Sequence, residues 1–178
     1  MTARRQGAAM TELRTAVRTT DREWIIGCIN GPNLSNLGNR HPARYGTGMT
    51  LPDLEARVDA LAKALGVVVH QFQSNYEGAL LEWLHENAAD LDGLLVNPAG
   101  STPYGFALRN AIQDSRLPTL EVHLANPALN KLESAFSEIV VGTVHGMRKH
   151  SYTAALIGMV AMLDDGDSLP PQDFWPLM

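Results

Sequence analysis

Five short apolar runs recur along the chain, separated by stretches with helical spacing, and this alternation restricts the fold more than any other feature of the sequence. The first run, Trp24 to Ile29, is continuous and ends at Asn30, Gly31, Pro32 and Asn33, a cluster of turn formers. A continuous run, unlike an alternating one, suits a strand covered on both faces. Thr50, Pro52 and Asp53 then form a helix start, followed by Leu54, Val58, Leu61 and Leu65 at three-to-four spacing and a terminating Gly66. Val67 to Phe72 reads as the second strand, and Ser74 or Asn75 as the cap of a helix carrying Leu80, Leu81, Trp83 and Leu84. Gly93 to Val96, Thr119 to Leu124 and Ile139 to Val144 supply three more strands. A helix from Tyr104 to Gln113 follows the third strand, and one near Tyr152 to Leu163 follows the fifth. Strands that alternate with helices build a parallel sheet with right-handed crossovers.

The 178 residues suit one such domain, with 45% hydrophobic and 19% charged residues arguing against disorder. Residues 24–163 hold the α/β pattern. Residues 1–23 read as a weakly helical arm (Met10, Leu13, Val17), free to move. Residues 164–178 form a proline-rich tail whose Phe174 and Trp175 suit docking on a surface. A single cysteine, Cys28, excludes an internal disulfide and a cysteine zinc cage. The amino terminus lacks an apolar signal core, and no apolar run is long enough for a membrane span. A net charge of −5 disfavours nucleic acid as a partner. A cytoplasmic protein acting on a small molecule is the expectation.

Ligands of open parallel sheets bind beyond the carboxyl ends of the strands. The first strand ends there in the long loop from Leu34 to Thr50, which contains Arg40 and Tyr45. A cation fixed beside a phenol favours its ionised form, and a phenolate is a competent general base. The same pair also reads as a surface arginine beside an amphipathic loop anchor, with His41 and Arg44 solvated. The fourth strand delivers His123, a candidate general acid or a satisfied core histidine. Glu121 lies on the same strand face and is able to fix the imidazole tautomer or to cap a backbone group. Asn33 and Asn97 suit substrate oxygens or Asx turns. The chain has no paired-histidine metal motif, no GxGxxG or P-loop, and no G-x-S-x-G elbow. Its three lysines (Lys63, Lys131, Lys149) lie away from the strand ends.

Several stretches together resemble the type II 3-dehydroquinate dehydratases. They are Ile29 to Leu34, Leu37 to Pro42, Tyr45-Gly46, Gln73 to Gly78 with Glu82 to His85, Asn97 to Gly100, Ala107 to Ala111, Glu121 to Asn126, and Tyr152 to Leu156. The resemblance runs in order from Trp24 to Leu163. It implies a flavodoxin-like α/β three-layer sandwich with a five-stranded parallel sheet of order 2-1-3-4-5. It also implies a dehydration through an enolate that needs neither metal nor organic cofactor. By resemblance Tyr45 is the base and Arg40 its activator, Asn33 positions a water, and His123 is the acid with Glu121 behind it. Asn97, Gly100, Thr102, Leu124 and Ala125 surround the hydroxy-acid substrate. The family forms dodecamers built from trimers, with Glu82 the candidate acid entering from a neighbouring subunit.

The departures fall on the substrate-gripping half of the site. Pro103 stands where the family carries a histidine and Ala125 where it carries a serine. The segment from Pro127 to Ser137 lacks the family's arginine, leaving Lys131 as the one candidate replacement charge. Two alternatives follow: a dehydratase or isomerase for another cyclic or β-hydroxy-carbonyl acid, and a catalytically silent binding or assembly protein. The joint presence of Asn33, Arg40, Tyr45, Asn97 and His123 argues against the silent one.

Overall fold

A computed structural model describes residues 2–166. Helix α1 (Thr2–Val17) precedes strand β1 (Ile25–Asn30), and one helical turn, α2 (Pro42–Tyr45), interrupts the loop before α3 (Leu51–Leu65). Then follow β2 (Val68–Gln73), α4 (Glu77–Asn87), β3 (Gly93–Asn97), α5 (Phe106–Ser115), β4 (Thr119–His123), β5 (Gly142–His145) and α6 (Lys149–Asp165). The five strands are all parallel in the order β2-β1-β3-β4-β5, the flavodoxin-like arrangement. The register aligns Asn30 with Asn97 and His123 with His145, so neighbouring strands end together at the carboxyl edge.

Strand alternation divides the core in two. Ile26, Cys28, Leu95, Leu120 and Val122 face α3 and α6, meeting Leu54, Val58, Leu156 and Val160. Ile29, Leu94 and Val96 face α4 and α5, meeting Leu80, Leu84, Leu108 and Ile112. Fully burying one such side chain stabilises the fold by roughly 1.5–3 kcal/mol, so the sheet is the most strongly determined part of the chain. Helix α3 starts as its sequence dictates. The Thr50 side chain accepts from Asp53 N, while the Asp53 carboxylate accepts from Thr50 N in a capping box. Gly31 is required where the loops after β1 and β3 meet. Its N–H donates to the Asn97 carbonyl at 2.8 Å, and a Cβ would stand 2.4 Å from the Pro98 carbonyl oxygen.

The structure moves several sequence-derived boundaries. The last strand starts at Gly142 rather than Ile139. Ile139 N donates to the Phe136 carbonyl in a turn, and Ile139 and Val140 are buried by packing in the second core cluster rather than by ladder pairing. Helix α4 is capped by neither Ser74 nor Asn75. Tyr76 occupies the cap, Ser74 Oγ accepts from Tyr76 N at 3.0 Å, and the Asn75 side chain turns away to Asn33 N. Helix α6 begins before Tyr152 and extends to Asp165. The amino-terminal segment is helix α1, which packs against α3, with Leu13 and Val17 against the first core cluster. Arg18, immediately after it, is buried and bound to Asp164. The expected docking of Phe174 and Trp175 lies outside the described residues. Among those residues, no helix is long and apolar enough to cross a membrane.

Candidate active site

The loop between β1 and α3 is more ordered than its composition suggests. Leu34 and Leu37 are buried, a short 3-10 turn spans Leu37–Asn39, and His41 caps α2 by accepting from Ala43 N at 3.3 Å. This places Arg40 and Tyr45 together. Arg40 Nη2 donates to the Tyr45 hydroxyl, and the guanidinium carbon lies 3.8 Å from the ring centroid. A permanent cation therefore rests on both the oxygen and the face of this tyrosine.

Across from it, β4 ends in a second pair. His123 Nε2 lies 2.7 Å from Glu121 Oε1, and the Glu121 side chain is fully buried. Ser134 Oγ donates to the same Oε1 at 2.5 Å. The other oxygen, Oε2, is buried without a hydrogen-bond partner among the described residues. An acceptor on Nε2 fixes the imidazole tautomer and leaves Nδ1 for a ligand.

Arg40, Tyr45 and His123 open onto one cleft of about 130 Å³ at the carboxyl edge of the sheet, with Glu121 buried behind His123. Its polar lining is Arg40, Tyr45, Asn97, Thr102 and His123, and its apolar lining includes Leu34, Leu124, Pro127 and Leu132. Asn97 is already engaged. Its Oδ1 accepts from Ala99 N at 3.0 Å, and its amide donates to the Tyr152 hydroxyl at 2.8 Å. Tyr152 in turn donates to Asn30 Oδ1 at 2.6 Å. Burial holds the Tyr152 phenol well above its usual range, so it stays a protonated strut. Burial likewise pushes the Cys28 thiol up to about 12, with Glu55 and Asp59 adding to the effect, so it is no nucleophile.

Of the site residues named from sequence, Arg40, Tyr45, Asn97, Thr102, His123, Leu124 and Ala125 line this cleft, with Glu121 directly behind His123. Asn33 is exposed at φ 74°, with its N–H on Asn75 Oδ1, and does not line it. Gly100 is exposed, and its N–H is taken by the Pro32 carbonyl at 3.1 Å. Glu82 is exposed on α4. Lys131 is exposed while its neighbour Leu132 forms the cleft wall, and Pro103 is exposed too. Among the described residues, no group of three or more histidine, cysteine or acidic side chains is placed to hold a metal.

Ser134 and Tyr152 were not legible as site residues. Ser134 lies in a loop with no strand or helix period, and Phe136 fixes it in place. That ring is fully buried, Ala135 N donates to the Thr102 carbonyl at 2.9 Å, and Phe136 N donates to Ser134 Oγ at 3.1 Å. The Ser134 hydroxyl is thereby held over Glu121.

A parallel α/β sheet with two oriented acid–base pairs on one cleft at its strand ends has the makings of a small-molecule enzyme that works by proton transfer. The comparisons specify which kind. The family model for dehydroquinase class II matches residues 24–160. The 3-dehydroquinate dehydratase of Gemmatimonas aurantiaca is 41% identical over 143 residues, covering 79% of this chain and 93% of the relative. Crystal structures of type II dehydroquinases from Propionibacterium acnes (TM-score 0.72, 32% identity, 79% of this chain and 99% of that one) and Butyrivibrio crossotus (0.73, 27%, 77% and 97%) share the fold. This chain belongs to the dehydroquinase class II family.

Proposed function

We propose that the chain is a hydro-lyase that dehydrates 3-dehydroquinate to 3-dehydroshikimate. The observation that carries this reading is the pairing of Arg40 with Tyr45 and of Glu121 with His123 on the two sides of one cleft. The Tyr45 oxygen takes a proton from C2 while Arg40 faces the charge on that oxygen. The electrons move into the adjacent carbonyl as an enolate. On their return the C1–oxygen bond breaks, and His123 protonates the departing hydroxyl, which leaves as water. Each proton transfer of this kind contributes about 10²–10⁴-fold. Asn97, locked by Tyr152 and Ala99, and Thr102 border the substrate, with Leu124 and Ala125 at the strand end. Asn33, proposed to position a water, and Gly100, proposed beside the substrate, stand outside the lining of this cleft. The proposed setting is cytoplasmic, in a homo-oligomer of trimers in which Glu82 of one copy approaches the site of the next. Sedimentation at micromolar concentration tests the assembly, and a monomer refutes it.

A second reading shares the chemistry but shifts the substrate to another β-hydroxy-carbonyl acid. It is favoured by the apolar wall of Ala125, Pro127 and Leu132. The deciding experiment follows the ultraviolet absorbance of the conjugated enone acid as purified protein meets 3-dehydroquinate. A rate that vanishes in Tyr45→Phe supports the first reading. A flat trace from folded protein, with turnover of another hydroxy acid, supports the second.

A further inference from the structure

We propose that Arg148 is a positioning residue that ties the turn carrying Tyr45 to the strand end carrying His123. The inference builds on the reading of those two residues as base and acid. Arg148 sits just before α6 at φ 54° and ψ −134°, a backbone conformation natural to glycine and costly for a residue with a Cβ. Strain held at a non-glycine residue directs attention to what its side chain does.

Arg148 touches both halves of the site. Its backbone N–H donates to the Leu124 carbonyl at 2.8 Å, directly after His123 and in the cleft wall. Its Nη2 donates to the Ala43 carbonyl at 3.2 Å, inside α2 and two residues before Tyr45. Its aliphatic stem passes Gly46, where a Cβ would stand 3.8 Å from Arg148 Cδ. The turn that presents it is braced from below, because Met147 N donates to Ser151 Oγ at 3.1 Å and Ser151 is fully buried.

The α2 turn has reason to need such a tie. It is four residues long and has no fully buried side chain, and a single helical turn is not stable alone. The bond between Arg40 and Tyr45 is internal to the loop. It fixes the phenol relative to the loop but does not fix the loop relative to the sheet. Tyr45 packs on the first core cluster, and Arg148 adds a directional tie, anchored by its main chain to Leu124 just after β4 and by its guanidinium to α2. Arg148 is exposed, and its bond to Ala43 spans 105 positions, which no local pattern reveals.

The test uses three variants of the full-length protein. Arg148→Gly removes the side chain and the backbone strain together. Its melting temperature is expected to hold or rise, while the amides of His41, Ala43, Arg44, Tyr45 and Gly46 exchange about tenfold faster or more. Because a displacement of about 1 Å costs about 10²-fold, kcat on 3-dehydroquinate is expected to fall about 10–100-fold with KM changed less than about threefold. Arg148→Met keeps the stem without a donor and is expected to show the same faster exchange and loss of kcat, which covers the case in which the glycine variant fails to fold. Arg148→Lys restores one donor and is expected to recover part of both. Unchanged exchange at 41–46 in the folded glycine or methionine variants overturns the proposal, and so does a lower melting temperature with unchanged kcat. If the wild-type protein does not turn over 3-dehydroquinate but exchange still accelerates in the variants, the dehydratase reading falls and the tie stands.

Discussion

Two buried carboxylates at opposite regions of the molecule are treated in opposite ways. Asp164, near the end of α6, receives Arg18 Nε at 2.7 Å and the backbone N–H groups of Thr19 and Thr20 on one oxygen. Its other oxygen takes Thr20 Oγ1 at 2.7 Å and Trp24 Nε1 at 2.6 Å. Both oxygens are saturated. Glu121 is as deeply buried, yet among the described residues both of its partners, His123 and Ser134, share Oε1 while Oε2 has none. The arginines differ in the same sense. Arg18 donates to Asp164, to the Leu65 carbonyl at 2.9 Å and to the Arg22 carbonyl, whereas Arg40 donates to a phenol beside an open cleft. A network that meets every polar group holds a fold together, and one that leaves capacity unused stays available to a ligand.

The comparison breaks most forcefully at Asp164. Asp164→Ala leaves Arg18 buried without its countercharge, so urea unfolding is expected to show a loss of about 3–5 kcal/mol, with kcat per folded molecule unchanged. The pH dependence sharpens the point. Burial alone would raise the Asp164 carboxyl, but hydrogen bonds from Arg18, Trp24, Thr20 and Thr19 outweigh it and hold the group well below the usual carboxylate range. A group depressed on folding contributes its full stability above the unfolded value of about 3.9 and loses it as pH falls toward the folded value. The stability gap between wild type and Asp164→Asn is therefore expected to be constant above that value and to shrink below it. A gap that stays constant down to the acid limit of folding would show that the charge on Asp164 is irrelevant.

At the other region the sizes move to kinetics. Tyr45→Phe is expected to cost about 10²–10⁴-fold in kcat and little in melting temperature, because the ring keeps its packing and Arg40 its stacking. Loss of less than about tenfold would remove Tyr45 as the base. Ser134→Ala takes one of two donors from a buried carboxylate and is expected to cost about 1–3 kcal/mol of stability, together with a measurable fall in kcat as Glu121, the partner of His123, loses its tether. The smallest effect belongs to neither carboxylate. Thr50→Ala removes one side of the α3 capping box and is expected to cost about 1 kcal/mol in thermal unfolding, with kinetics untouched, a reference for purely local damage.

The sequence determined the sheet, because apolar runs covered on both faces have one physical solution when helices alternate with them. The start of α3 at Thr50, Pro52 and Asp53 was equally plain, because its signals lie within a few residues of one another. The Arg40–Tyr45 and Glu121–His123 pairs were also within reach, since each joins residues five or two positions apart. Only tertiary structure decided what those pairs face and what holds them. Ser134 reaches Glu121 because a buried Phe136 anchors an aperiodic loop, and Tyr152 reaches Asn97 and Asn30 across the domain. Arg18 finds Asp164 at 146 positions of separation and turns a weakly helical arm into part of the fold. Ile139 and Val140 are apolar by sequence and buried by packing, yet they do not belong to the strand they seemed to begin. Local pattern encodes backbone period and neighbour chemistry, which act over a few residues. Saturation of a buried charge, the wall of a cleft and the tension at Arg148 depend on groups far apart in the chain, and only folding sets their distances.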